Sequence, residues 1–231
     1  MNLKRVAREI KLLSESEVLG KIFDFHSNED FTLDIIVYGD ADSGCYSNVP
    51  FYFKLKFPDN YPFTPPELKF VNLNGIRFHP NFYVEGKVCL TILGTWGTQA
   101  SGPVRSYSPI TTVESIIISI SSMIHNNPII EEPGQDKHAA TSGPSKAYHL
   151  AAKYASLDNG LRYISDKINI PKDLKCKLVK YLEDHRDVYL KTVGDLTGVS
   201  PQNVSYFHGH FKIDPDRLMK QLSLLPSASG D

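Results

Sequence analysis

The chain has 231 residues, with 25 lysines and arginines against 26 aspartates and glutamates, and so a formal charge of −1 at pH 7. This balance supplies no overall field to attract nucleic acid or an anionic membrane, and any charged contact has to be local. The length allows one large domain, or one domain with a substantial appendage, around a full hydrophobic core.

The segment Met1 to Leu13 sets Lys4, Arg5 and Arg8 among apolar residues and lacks the apolar centre of a signal peptide. No apolar run is long enough to span a bilayer. An intracellular location, cytoplasmic or nuclear, is expected. Cys45, Cys89 and Cys176 stand far apart with no Cys-x-x-Cys pair; this argues against a disulfide framework and a zinc site, and no metal is expected. Asn203-Val204-Ser205 has the form of a glycosylation sequon and, without a secretory signal, reads as a chance match.

Leu3, Val6, Ala7, Ile10 and Leu13 recur at helical spacing, with Lys4, Arg5, Arg8 and Lys11 on the other face, so the chain should open with an amphipathic helix. Ile22 to Phe25, Phe31 to Tyr38 and Phe51 to Phe57 alternate apolar and polar residues and are separated by turn formers, as in an antiparallel meander. Glu67 to Val71 is a candidate fourth strand. Between the last two lies Tyr61-Pro62-Phe63-Thr64-Pro65-Pro66, whose prolines remove amide donors and fix φ, leaving a stiff irregular loop.

From Ile76 to Ser108 the chain has little periodicity and much Gly, Pro, Asn and Ser, which in a compact domain is more often functional than idle. Gly97 to Ser106 reads as a solvated loop. Thr112 is a plausible cap for a largely buried helix running to about His125. Further helices are expected near Ser145 to Ser156, Pro171 to Val193 and Pro215 to Leu225, with a frayed tail from Pro226 to Asp231.

Chemistry concentrates in Phe78-His79-Pro80-Asn81, Gly86-Lys87-Val88-Cys89-Leu90, Ile92-Leu93 and Trp96. By itself, a cysteine among apolar residues is usually a small buried hydrophobe. Lys87 after Gly86 lacks the rest of a phosphate-binding loop, so no nucleotide site is readable.

His-Pro-Asn followed at eight residues by a cysteine in Gly-x-Val-Cys-Leu resembles the active-site signature of ubiquitin-conjugating enzymes. The opening Leu3-Lys4-Arg5 helix, the proline loop, Trp96, Ser108-Pro109 and the helix after them follow that family's order, over roughly residues 1 to 135. The resemblance implies an α+β fold of the UBC type: an N-terminal helix, a four-stranded antiparallel meander sheet and a crossover helix. A core domain over 1–156 and a C-terminal helical extension over 157–231, packed on the core, are expected.

The resemblance also implies that Cys89 accepts ubiquitin or a ubiquitin-like modifier as a thioester from an activating enzyme. The modifier would then pass to a protein substrate lysine or to a ubiquitin ligase thiol. The activating enzyme spends the ATP, so no cofactor is expected. The alternative is a catalytically silent ubiquitin-binding scaffold of the same fold, a role that the presence of Cys89 weighs against. Transthiolation needs an accessible thiolate but little activation, because it exchanges similar thiols. Asn81 can face the oxyanion formed when an amine attacks the thioester, or it can tie down the following backbone. His79 is expected to hold the loop by hydrogen bonds. Glu132 occupies the family's gate position and would help the attacking lysine lose its proton by orienting the amine, by accepting the proton, or together with desolvation. Lys4, Arg5 and Arg8 match positions that meet the activating enzyme, and Phe63, Ser108 and Pro109 match the loops that dock a ligase.

Gly39-Asp40 and Tyr46-Ser47-Asn48-Val49 depart from the turns of small members of the family. Gly94-Thr95-Trp96, Asn126-Asn127-Pro128, Glu132-Pro133-Gly134 and Ser145-Lys146-x-Tyr148 are similar to its larger Z-type branch. Gly209-His210-Phe211 with Leu218-Met219-x-x-Leu222 resembles the end of that branch's extra helical region, while Tyr107 stands where a tryptophan is expected.

Overall fold

The structure, a computed structural model, describes residues 2–95, 107–132, 134, 135, 137, 140–165, 167–199 and 212–226. The expectations placed on Trp96, on Gly97 to Ser106, on Pro133, on the Asn203 sequon, on Gly209-His210-Phe211 and on the tail after Pro226 lie outside the described residues.

Helix α1 (Leu3–Ser14) begins at Asn2, whose side chain accepts the Arg5 N–H at 3.2 Å and so satisfies one of the unpaired amides of the first turn. Its inward face is narrower than the sequence suggests: Val6, Glu9 and Leu13 are buried, whereas Leu3 is 54% exposed and Ala7 is exposed. Strands β1 (Phe23–Ser27), β2 (Thr32–Tyr38), β3 (Pro50–Lys56) and β4 (Glu67–Phe70) follow. They pair antiparallel in the order β1-β2-β3-β4, the expected meander. Register sets Leu33 opposite Leu55, Ile35 opposite Phe53, Val37 opposite Phe51, and Phe53 opposite Phe70.

With a side-chain period of two, these pairs put Phe51, Phe53 and Phe70 on one face, where they meet Phe78 and Phe82 with ring centroids 5.3 to 6.4 Å apart. The opposite face carries Asp24, Asp34, Ile36, Tyr38, Tyr52 and Lys54. Much of it is covered by C-terminal helices.

Helix α2 (Val113–Met123) is capped by Thr112, which accepts the Ser115 N–H at 3.1 Å. It buries Val113, Ile116, Ile117 and Ile120 but leaves Ser115, Ile118 and Ser122 exposed, so it is less deeply buried than its composition suggests. Helix α3 (Gly143–Ser165) continues nine residues beyond the end expected at Ser156, through the anticipated boundary at 156/157. The reason lies in what those residues touch. The Tyr163 hydroxyl donates to Val71 O at 2.9 Å and accepts the Tyr52 N–H at 3.2 Å, Asn159 Oδ1 accepts the Leu73 N–H at 2.7 Å, and a Cβ on Gly160 would lie 3.1 Å from Pro50. The ends of β3 and β4 are therefore completed by residues assigned from sequence to the extension.

The single helix expected over Pro171 to Val193 is two, α4 (Lys172–Asp184) and α5 (Arg186–Leu196), divided at His185, whose Nδ1 bonds to Tyr181 O at 2.8 Å. Helix α4 lies on the second face of the sheet: Tyr181 stacks on Tyr38 at 3.9 Å, and Lys177 reaches the buried Asp24 at 2.8 Å. Helix α6 (Pro215–Leu222) ends three residues before Leu225 and packs against α3 and α5.

Two buried carboxylates that no motif singled out hold these helices in place. Glu9 of α1 accepts from Arg5 Nε at 2.7 Å and from the Val113 N–H at 2.8 Å, which sets a negative charge at the positive end of α2. Asp158 of α3, 1% exposed, pairs with Arg162 at 3.1 Å and Arg217 at 3.0 Å and accepts from Gln221 Nε2 at 3.1 Å. Asp158→Ala removes the shared acceptor of Arg162, Arg217 and the buried Gln221 and, with Arg217 partly exposed, is expected to cost about 2 kcal/mol. Urea unfolding should show this loss, and amide exchange should accelerate first in α6, the helix that Asp158 anchors.

Candidate active site

Gly86 takes φ 92° at the turn between Tyr83 and Lys87, and a Cβ there would meet Phe70 O at 3.0 Å, so a glycine is required on both counts. The turn closes with Tyr83 N–H to Lys87 O at 2.9 Å and joins β4 through Phe70 N–H to Gly86 O at 2.9 Å. Beyond it, Thr95 Oγ1 accepts the Leu90 N–H and donates to Val88 O, both at 2.8 Å. Cys89 is thereby held from both sides in a segment without a regular ladder.

Asn81 and Cys89 bond reciprocally: the Cys89 N–H donates to Asn81 O, and Asn81 Nδ2 donates to Cys89 O, each at 2.9 Å. Of the two readings of Asn81 left open by the sequence, this geometry is the backbone tie, with the amide nitrogen on the Cys89 carbonyl. His79 is wholly buried; its Nδ1 accepts the Asn81 N–H at 3.1 Å and its Nε2 lies 3.0 Å from Met123 O, so Nε2 carries the proton. The ring stacks on Phe82 at 4.0 Å. Burial pushes its pKa down to about 3, against a weaker upward pull from the Met123 carbonyl, and the imidazole is neutral.

Cys89 is only 4% exposed, where an accessible thiol was expected. The Tyr83 ring lies 4.5 Å from the Arg77 guanidinium and 5.4 Å from Lys87 Nζ. Glu132 is buried too, and its Oε2 accepts from Arg77 Nη2 at 3.2 Å. The structure thus brings Cys89, Asn81, His79 and Glu132 into one neighbourhood and adds Arg77 and Tyr83. Sequence reasoning passed over Arg77 because a single cation in an irregular stretch carries no periodicity. Tyr83, two residues after Asn81, was within reach of the motif.

The docking candidates lie elsewhere. Lys4 and Arg8 are exposed on α1, but Arg5 is turned inward, donating to Thr111 O at 3.1 Å and lying 5.9 Å over Tyr61, so it has a structural task as well. Phe63 is 80% exposed and Pro109 is exposed, while Ser108 is half-buried. Ile110, at 83%, is an exposed apolar residue that the sequence reading missed. Ser108 also lines a groove of about 440 Å³ between Leu90–Ile92 and the exposed stripe of α2, with Thr111, Ser119 and Ser122. Among the described residues, no group of three or more His, Cys, Asp or Glu could hold a metal ion, and no helix is long and apolar enough to cross a membrane.

Residues 5–155 match the family model described as ubiquitin-conjugating enzyme. The chain is similar to the ubiquitin-conjugating enzyme E2 Z of Xenopus tropicalis, 31% identical over 96% of this chain and 70% of that protein, and to that of Homo sapiens, 30% identical over 96% and 62%. It is also similar to the E2 Z of Danio rerio, 32% identical over 80% of this chain and 55% of that one. The chain thus spans between 55% and 70% of the length of these relatives. A solved structure of human ubiquitin-conjugating enzyme E2 G1 aligns with 52% of this chain and 92% of its own, at 30% identity and a TM-score of 0.43.

The neutral state of His79 makes stability depend on pH. Its pKa is lower in the folded chain than in the unfolded one, so the unfolded state binds the extra proton below about pH 6.5 and stability falls as pH drops toward 3. Urea unfolding should lose about 1 kcal/mol between pH 6.5 and 5.5 from this group, and His79→Gln should remove that part of the slope.

Proposed function

Given that the chain belongs to the ubiquitin-conjugating enzyme family, we propose that it accepts ubiquitin or a ubiquitin-like modifier from an activating enzyme as a thioester on Cys89 and transfers it onward. In the first step the Cys89 sulfur attacks the incoming thioester, a new C–S bond forms, and the activating enzyme's thiol departs with the electron pair. In the second, a substrate lysine nitrogen or a ligase thiol attacks the same carbonyl and Cys89 leaves. The observation that carries this reading is the reciprocal Asn81–Cys89 pair inside the matched region, with the His79 ring accepting the Asn81 N–H.

Asn81 fixes the Cys89 carbonyl, and its amide is close enough to turn toward an oxyanion when the acyl group is present. His79, neutral and fully bonded, holds the loop and moves no proton. The groove of about 440 Å³ beside Leu90 and Ile92, with Met123 on its wall, adjoins the segment that carries Cys89 and would receive the carboxyl end of a modifier. Lys4 and Arg8 serve the encounter with the activating enzyme. Phe63, with Pro109 and Ile110, presents an apolar contact for a ligase, the aromatic on a proline-braced loop being a good anchor.

Of the remaining cysteines, burial pushes the Cys45 thiol far up, so it supplies no thiolate, and Cys176 lies exposed on α4 away from the motif. Incubation with activating enzyme, ATP and ubiquitin or a ubiquitin-like modifier should give one adduct cleaved by reducing agent. Cys89→Ser should replace it with a slower, thiol-resistant oxyester, and Cys176→Ser and Cys45→Ser should still charge. A reducible adduct on the Cys89→Ser protein would refute the assignment.

A further inference from the structure

The C-terminal helices reach the connection between β2 and β3, residues 39–49, through three hydroxyl groups. The Tyr189 hydroxyl of α5 donates to Asn48 O, the Ser156 hydroxyl of α3 donates to Cys45 O at 3.2 Å, and the Tyr181 hydroxyl of α4 approaches Gly39 O at 3.4 Å. Asn48 holds φ 57°, a left-handed conformation that costs energy for any residue but glycine and persists where the neighbours enforce it. Its own N–H donates to Gly39 O at 3.0 Å, and the Val49 N–H donates to Tyr46 O at 3.0 Å, so the turn that Tyr189 holds also places Tyr46.

Tyr46 in turn reaches the active-site loop. It is wholly buried, its hydroxyl donates to Phe78 O at 2.6 Å, and its ring centroid lies 5.4 Å from that of His79. Phe78 directly precedes His79, whose Nδ1 accepts the Asn81 N–H at 3.1 Å, and Asn81 Nδ2 donates to Cys89 O at 2.9 Å. A continuous series of bonds thus runs from α5 to the cysteine: Tyr189 to Asn48, the turn to Tyr46, Tyr46 to Phe78, and His79 through Asn81 to Cys89. Because the segment at 78–90 contains no strand or helix, side-chain bonds of this kind decide where it lies.

Resting on the reading that Cys89 carries an acyl thioester, we infer that Tyr189 and Tyr46 are positioning residues for the reaction at Cys89. Tyr189 holds the connection at 39–49 in its turn, and Tyr46 passes that hold to the loop of His79 and Asn81. The C-terminal helices therefore take part in setting the rate of the chemistry, besides covering the sheet. Charging and discharge both use the same placement of the Cys89 sulfur and carbonyl, so a loosened loop slows both, and small displacements of a reacting group are costly. Coupling through packed and bonded side chains has to be shown by the energies of paired changes, since adjacency alone does not establish it.

The test uses the full chain with activating enzyme, ATP and ubiquitin, or whichever modifier forms the thioester. Two rates are read: charging at saturating activating enzyme, and single-turnover discharge of the isolated thioester to free lysine. Tyr189→Phe should slow both about threefold and Tyr46→Phe about tenfold, with the half-saturating concentration of activating enzyme and the fraction of molecules finally charged unchanged. The double variant should be no slower than Tyr46→Phe alone, because both act through one series of bonds. Asn48→Gly placed in the Tyr189→Phe protein should recover most of the lost rate, since glycine takes the positive φ without help. Asp158→Ala, which loosens α6 outside this series, should lower stability and leave both rates as they are in the natural protein.

Natural rates in Tyr189→Phe overturn the inference, as does a double variant whose slowing is the product of the two single effects, because the tyrosines would then act independently. A smaller charged fraction at natural rates, or equal slowing in Asp158→Ala, overturns it by reducing both residues to a part in stability. A raised half-saturating concentration with natural maximal rates makes the extension a docking surface for the activating enzyme instead, and no recovery with Asn48→Gly breaks the link at the turn. Absence of any thioester on the natural protein sinks the proposed function and this inference together, whereas a normal thioester with any of the other results sinks the inference alone.

Discussion

The imidazole of His79 joins two segments that share no ladder: the loop leading to Asn81 through its Nδ1, and the last turn of α2 through its Nε2. Both bonds require the neutral ring, and burial enforces it. Asn81 can lock the backbone of Cys89 only because its own amide is already fixed by that ring, and Phe82, stacked on the imidazole, carries the fixation into the aromatic cluster between the sheet and the loop. A segment rich in turn formers is in this way given the rigidity of a packed core. A positioned nucleophile needs such rigidity, since small displacements of reacting groups are costly in rate.

The C-terminal helices solve a different problem. One face of an antiparallel sheet is commonly left to solvent, and polar residues on β1, β2 and β3 fit that arrangement. Here Tyr181 stacks on Tyr38, Lys177 bonds to Asp24, and Tyr163 packs edge-on against Tyr52 with ring centroids 5.7 Å apart. Polar side chains that look like a solvated face are thus anchor points for helices that come more than a hundred residues later.

The order of elements was legible because each has a period or a cap that acts locally: Thr112 at the head of α2, prolines around the loop at 61–66, and alternation in β2 and β3. Cys89, Asn81 and His79 were legible through spacing. What could not be read was pairing at long range. Nothing near Glu9 announces Val113, nothing near Asp158 announces Arg217, and Arg77 acquires its meaning only from Glu132, 55 residues away. The break at His185 was hidden as well, since a histidine ring that captures a carbonyl does not disturb the apolar spacing on either side.

Helix α3 is one uninterrupted rod of 23 residues, about 34 Å long at the usual helical rise. Tyr148 near its start lies in the field of Glu132 and Arg77, Ser156 in its middle bonds to Cys45 O at 3.2 Å, and Asp158 and Tyr163 toward its end hold α6 and the ends of the sheet strands. A protease attacking between the two parts of the molecule meets no joint within this rod. The C-terminal helices and the segment at 128–131 are consequently tied to one helix, and a force applied by anything bound at α6 is borne along the same rod that packs against that segment, next to Glu132.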